Sequence, residues 1–154
     1  MTSSRMLPPL RKRLALLTAS SALFAAPAAA GEFEAGGTPP GGTSEFNAVS
    51  ADGRVAVGRT RTASLDERAV LWTPDGGLRE LDARALVANG VNADGSVIVG
   101  TFLGLVPTPQ YHAFHWRDGT LTDLGYILGA NDARAVGVSA DGSVVVGNLR
   151  DAGT

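Results

Sequence analysis

One stretch of this chain occurs three times. It reads Val49-Ser50-Ala51-Asp52-Gly53-Arg54-Val55-Ala56-Val57-Gly58, then Val91-Asn92-Ala93-Asp94-Gly95-Ser96-Val97-Ile98-Val99-Gly100, then Val138-Ser139-Ala140-Asp141-Gly142-Ser143-Val144-Val145-Val146-Gly147. An Asp-Gly pair between β-branched residues signals a hairpin, because glycine accepts the positive φ that the turn requires. Asp52 and Asp94 lie 42 positions apart, and Asp94 and Asp141 lie 47 apart. A second landmark keeps the period, with Trp72 and Trp116 separated by 44. A chain with such spacing folds as an array of similar units.

Each complete repeat holds two hairpins. Residues 46–50 and 54–60 flank Asp52-Gly53, and residues 67–73 and 78–81 flank Pro74-Asp75-Gly76-Gly77, a strong turn sequence. In the second repeat, residues 88–92 and 96–102 flank Asp94-Gly95, and residues 111–117 and 120–124 flank Asp118-Gly119. The joining segments are 61–66, 82–87, 103–110 and 125–133. Four short strands in ~40–45 residues match one blade of a β-propeller. Strand parity places His112, Phe114 and Trp116 on one face, with Arg68, Val70 and Trp72 in the equivalent positions. Valines on both faces, as in Val144-Val145-Val146, suit a strand covered from both sides.

The expected fold is therefore all-β: a partial β-propeller of four-stranded antiparallel blades, with two complete blades (46–87 and 88–133) and one hairpin (134–154). Rings of this kind close with about four to eight blades. The third repeat stops after its first hairpin, so the chain is expected to be an N-terminal fragment of a longer propeller or to self-associate through exposed blade faces.

The first 30 residues have the pattern of a helical secretory signal peptide. Arg11-Lys12-Arg13 is the basic region, Leu14 to Ala26 the apolar region, and Ala28-Ala29-Ala30 the small-residue cleavage site. The rival reading is a retained anchor, but the apolar stretch is shorter than the ~20 residues of a spanning helix and ends at Pro27. Residues 31–45 are rich in glycine and proline and read as a flexible linker. The expected location is secreted: periplasmic, extracellular or cell-surface. Cleavage would leave 9 of the 13 basic residues against all 15 acidic ones, a net charge of −6. That sign is unsuited to sequence-independent nucleic-acid binding. With no cysteine in the chain, disulfides and thiolate metal sites are excluded.

Turn and packing roles compete with every candidate site in the sequence. One carboxylate per Asp-Gly turn is too few for a calcium loop, so Asp52, Asp94 and Asp141 read as turn residues. His112 and His115 would fall on opposite faces of a strand and have no third ligand for zinc. Trp72 and Trp116 could form sugar platforms, but their recurrence argues for packing between blades. Asp66 and Glu67, with Asp123 or Asp132, could furnish the carboxylate pair of a glycosidase, and nothing in the sequence sets their separation. Ser50, Ser139 and Ser143 lack the context of a nucleophile elbow. No catalytic residue, cofactor or metal is assigned.

The repeats resemble the bacterial extracellular repeat proteins of the HAF family. The resemblance rests on the triplet His112-Ala113-Phe114, then Trp116, Asp118-Gly119, Leu121-Thr122-Asp123-Leu124-Gly125, and Ala135 through Gly147. It covers roughly Phe46 to Asn148. The first repeat departs, with Arg68-Ala69-Val70 in place of the triplet and Asp82 after Leu81. The resemblance implies a secreted or surface-associated β-propeller, and it implies no particular catalytic activity. The expectation is a structural or binding module that meets a carbohydrate, protein or envelope partner, with no membrane span in the mature chain. The alternative is a piece of a propeller hydrolase or lyase whose active site lies in other blades, and a remnant of a broken reading frame is a third reading.

Overall fold

The valine-rich stretches after the three Asp-Gly pairs each become the second strand of an antiparallel hairpin. In the computed structural model, which describes residues 37–104, 109–125 and 130–151, these are β2 (Ala56–Arg61), β6 (Val97–Gly104) and β10 (Val145–Asp151). Their partners are β1 (Thr43–Val49), β5 (Ala85–Val91) and β9 (Ala130–Val138). β3 (Glu67–Thr73) and β4 (Gly77–Glu80) complete a four-stranded sheet in the order β1-β2-β3-β4. β7 (Gln110–Arg117) pairs with β6, and β8 (Thr120–Gly125) with β7, so β5 to β8 repeat that meander. A single parallel bridge, Tyr111 to Asp132, ties the β9–β10 hairpin to β7. The protein is all-β, with no helix among the described residues. The signal-peptide pattern of residues 1–30, the linker up to residue 36 and residues 105–108 and 126–129 of two joining segments lie outside the described residues.

Successive units stack face to face, and side-chain alternation decides which residues meet. On β6, Ile98 and Phe102 look back toward the first meander, while Val97 and Val99 look forward toward the third hairpin. The backward cluster joins Ile98, Phe102 and Phe114 to Val57, Ala69, Leu71, Ala85 and Ala88, with Trp116 packed against it. The forward cluster joins Val97 and Val99 to Ala135, with Val138 and Val145 against it. β6 is thus buried on both faces from Val97 to Phe102. Burying each such side chain contributes roughly 1.5–3 kcal/mol, which makes this strand the centre of the core.

Three boundaries differ from the sequence reading. β1 begins at Thr43, inside the stretch assigned to the flexible linker; Ser44 and Glu45 already pair with Thr60 and Arg59. β5 begins at Ala85, within the expected joining segment 82–87. There the Asp82 carboxylate accepts the Arg84 N–H at 2.9 Å, and the Asp82 carbonyl accepts the Ala85 N–H at 3.0 Å, so the chain re-enters the sheet at once. The third difference is the Asp-Gly hairpin loop. It runs over four residues, Ala51 to Arg54, closed by the Ser50 N–H donating to the Val55 carbonyl at 2.8 Å. Only its glycine has positive φ, +72° at Gly53, as in a type I turn followed by a left-handed residue. Asp118-Gly119 is the two-residue primed turn instead: both residues have positive φ, 51° and 81°, between paired Arg117 and Thr120.

Candidate functional site

The Asp-Gly turns of the three repeated stretches, at Asp52, Asp94 and Asp141, lie beside one another and are joined by backbone. The Ala51 N–H donates to the Ala93 carbonyl at 3.0 Å, and the Ala93 N–H donates to the Ala140 carbonyl at 3.1 Å. Four positions of the repeated stretch then have a definite task. The serine or asparagine accepts the amide that closes its loop: Ser50 Oγ from Val55, Asn92 Oδ1 from Val97 and Ser139 Oγ from Val144, at 3.0, 2.9 and 2.9 Å. The aspartate accepts the amide two residues on, from Arg54, Ser96 and Ser143, at 3.0, 2.9 and 3.0 Å. The glycine takes the positive φ in all three turns, and at Gly95 and Gly142 it also allows close approach. A Cβ at Gly95 would stand 2.5 Å from Val55 Cγ2, and one at Gly142 would stand 2.8 Å from Val97 Cγ2. The alanine supplies the rung between units.

These contacts set the electrostatics of the turns. Ser50 and Ser139 donate to Asp52 and Asp141 at 2.6 Å. The hydroxyl bond and the turn amides hold both carboxyls below the ordinary range, and Asp141, bonded also to the Ser143 hydroxyl, is lowered to about 2. Asp94 is lowered by Ser96. The single carboxylate of each turn accepts bonds from its own loop, which is turn chemistry.

A second set of inter-unit bonds comes from the bulged position of each first strand. The register of β1 with β2 slips at Asn47, and that of β5 with β6 slips at Asn89. Asn47 Nδ2 donates to the Ala88 carbonyl at 2.9 Å, and Asn89 Nδ2 donates to the Ala135 carbonyl at 2.7 Å. Each asparagine stands five residues before the repeat aspartate, an offset that the sequence carries. Val136 holds this position in the third unit and cannot donate.

The other singled-out residues do not converge. His112 is buried at the back of β7 beside Phe102, and its Nδ1 lies 2.9 Å from Asp123 Oδ2, so the triplet is bonded to the Leu-Thr-Asp-Leu-Gly motif. Asp123 Oδ1 also accepts the Gly125 N–H at 2.7 Å. His115 is on the opposite face, as its offset requires. Trp116 packs in the backward cluster; Trp72 has the equivalent register but looks away from the second meander, opposite to its neighbour Leu71. Glu67 is engaged by Arg59 and Arg61, and Asp132 by Arg134 at 2.9 Å. A polar concavity along the first strands includes Glu45, Asn47, Arg59 and Arg134, and there Glu45 accepts from Arg59 at 2.7 Å, raising the guanidinium pKa. Among the described residues, no group of three or more acidic, histidine or cysteine side chains is placed to hold a metal.

What remains is a surface. Val97 and Val99 of the second unit are 2% and 0% exposed beneath the third hairpin. Their counterparts Val144 and Val146 are each 57% exposed. Val136, in the asparagine position, is exposed beside them. The forward face of the β9–β10 hairpin therefore presents the apolar pattern that the same fold buries one unit earlier. Comparison with protein-family models, with curated proteins and with solved structures finds no match for this chain.

Proposed function

We propose that the chain is an exported structural and binding module of HAF-like repeats. Its units form an arc of four-stranded propeller blades. The module is the N-terminal part of a longer propeller and displays, at the cell envelope or outside the cell, an interaction surface for a carbohydrate, protein or envelope partner, with the forward face of its third hairpin open to such a partner or to a further repeat. The observation that carries this reading is the contrast between Val97 and Val99, covered, and Val144 and Val146, open. Apolar side chains at 57% exposure forgo part of the roughly 1.5–3 kcal/mol each would gain on burial, and a partner that covers them recovers it. The basic, apolar and small-residue order of residues 1–30 supports export.

Two measurements test the reading. Fractionation of cells expressing the chain, with N-terminal sequencing, should find it outside the cytoplasm and beginning at Gly31. An intact chain held in the cytoplasm would sink the export half. Retention on purified envelope material or on arrayed glycans should fall for Val144→Asp/Val146→Asp, with the fold intact by circular dichroism. Retention equal to that of the parent would sink the surface half.

A further inference from the structure

Asp-Gly pairs occur at Asp52, Asp75, Asp94, Asp118 and Asp141, and the fold treats them unequally. They share one reaction. The glycine nitrogen can attack the aspartate carboxyl carbon, because no side chain on glycine crowds the approach. The attack needs a carboxyl group free to turn toward the backbone and an N–H that is not held elsewhere.

The three repeat turns withhold both. The Gly53, Gly95 and Gly142 N–H groups donate to the carbonyls of Ser50, Asn92 and Ser139, at 3.0, 3.3 and 2.9 Å. Their aspartates accept the amide two residues on, and Asp52 and Asp141 also accept a serine hydroxyl. The hydroxyl and amide bonds of the loop hold all three carboxyls below the ordinary range, so the protonated form that expels water is scarce at neutral pH. Asp75-Gly76 withholds one partner. Its glycine N–H donates to Thr73 Oγ1 at 3.0 Å, while the Asp75 carboxylate faces only Arg54, at 3.7 Å.

Asp118-Gly119 withholds neither. Among the described residues, the Asp118 carboxylate accepts no hydrogen bond and the Gly119 N–H donates none. Both residues are exposed, and a Cβ built on Gly119 meets nothing within 4 Å. Asp118 is also a non-glycine residue at φ 51°, in the left-handed region. The openness belongs to the hairpin tip itself. The same turn of the first unit is followed by a whole further unit, and its Asp75 side chain is still 92% exposed.

We propose that Asp118-Gly119 is a site of spontaneous covalent modification, the isomerisation of aspartate to isoaspartate, from which the repeat turns are protected. The Gly119 nitrogen bonds to the Asp118 side-chain carboxyl carbon, and the amide proton leaves with the carboxyl hydroxyl as water. Water then opens the resulting succinimide. Cleavage at the side-chain carbonyl restores aspartate. Cleavage at the main-chain carbonyl leaves the chain running through Cβ, one methylene longer, with a free α-carboxylate. Neither an oxidant nor a co-reactant is needed, and the mass is unchanged. The longer backbone falls between Arg117 and Thr120, the last paired residues of β7 and β8, and so alters the closure of the hairpin that carries the His112–Asp123 contact.

The full-length chain, incubated warm at neutral pH and sampled over weeks, is digested and mapped by mass spectrometry with electron-transfer fragmentation, which distinguishes isoaspartate from aspartate. Isoaspartate is expected first at Asp118 and next at Asp75. The repeat turns should lag Asp118 by at least about tenfold, because two or more hydrogen bonds must open before they react. The same incubation of the chain unfolded in urea should bring the five sites together. Ser139→Ala/Ser143→Ala, which removes both hydroxyls from Asp141, should speed isomerisation there and leave the Asp118 rate unchanged. In the folded chain with isoaspartate at position 118, hydrogen exchange should quicken along β8. Isomerisation at Asp52, Asp94 or Asp141 as fast as at Asp118 would overturn the proposal. So would the same ranking in urea, which would trace it to neighbouring residues and not to the fold.

Discussion

The second meander and the third hairpin are built from nearly the same residues and live in different surroundings. Val97, Ile98, Val99 and Gly100 correspond to Val144, Val145, Val146 and Gly147. The first four lie in a strand covered on both faces and flanked on both edges, whereas the second four have one face and one edge open. The difference shows that in this fold burial is conferred by neighbours. The local sequence writes a strand, and the stack decides what that strand is worth.

Paired substitutions put the comparison at risk. The largest gap is expected between Val99→Asp and Val146→Asp. A carboxylate at the fully buried site costs well over about 3 kcal/mol or prevents folding, and the same change at the open site stays within about 0.5 kcal/mol. Urea unfolding of the two variants measures this, and equal destabilisation would mean that the third hairpin is covered in solution. Next comes Phe114→Ala, which empties the space over Gly100 and should cost about 3–5 kcal/mol by the same measurement. Leu149→Ala, at the half-exposed counterpart of Phe102, should cost less than about 1 kcal/mol.

Smaller effects sharpen the picture. Asn89→Ala removes the bond to the Ala135 carbonyl and should cost about 0.5–1.5 kcal/mol, with faster exchange across β9, while Val136→Asn should gain nothing until a further surface lies against it. Smallest is the pH response of the turns. The Asp141 carboxyl sits at about 2 against an ordinary 3.8, so its contribution is present above the ordinary value and fades as pH falls toward 2. Carboxyl NMR should place its midpoint near 2 and move it up in Ser139→Ala. An unchanged midpoint would remove the hydroxyl as the cause.

Much of the architecture was legible because strand periodicity and turn chemistry are local. The strand pairs, the split between His112 and His115, and the turn role of the repeated aspartates all followed from spacing of two and from residues suited to tight bends. The inter-unit bonds were less visible for physical reasons. Ala51 and Ala93 act through their backbone, and an alanine advertises nothing of the kind. Asn47 and Asn89 did carry a signal, a fixed offset from the aspartate, but it gains meaning only once the strand is known to bulge there. The coupling of His112 to Asp123 needed the register of β7 on β8, which sets a histidine and a carboxylate eleven residues apart within bonding distance.

The alanine rungs have a consequence for how such a chain tolerates change. Because consecutive Asp-Gly turns are bonded backbone to backbone, that end of the stack behaves like the spine of a book, where every leaf must meet its neighbour at a fixed pitch. The repeats nevertheless differ in length, 42 against 47 residues between aspartates, and β2–β3, β4–β5, β6–β7 and β8–β9 are all joined at the opposite end. Length can be added at that fore-edge without disturbing a single rung. Variation, insertion and grafted sequence belong there, and one residue inserted between Val91 and Val97 would dislocate the binding that holds the leaves in order.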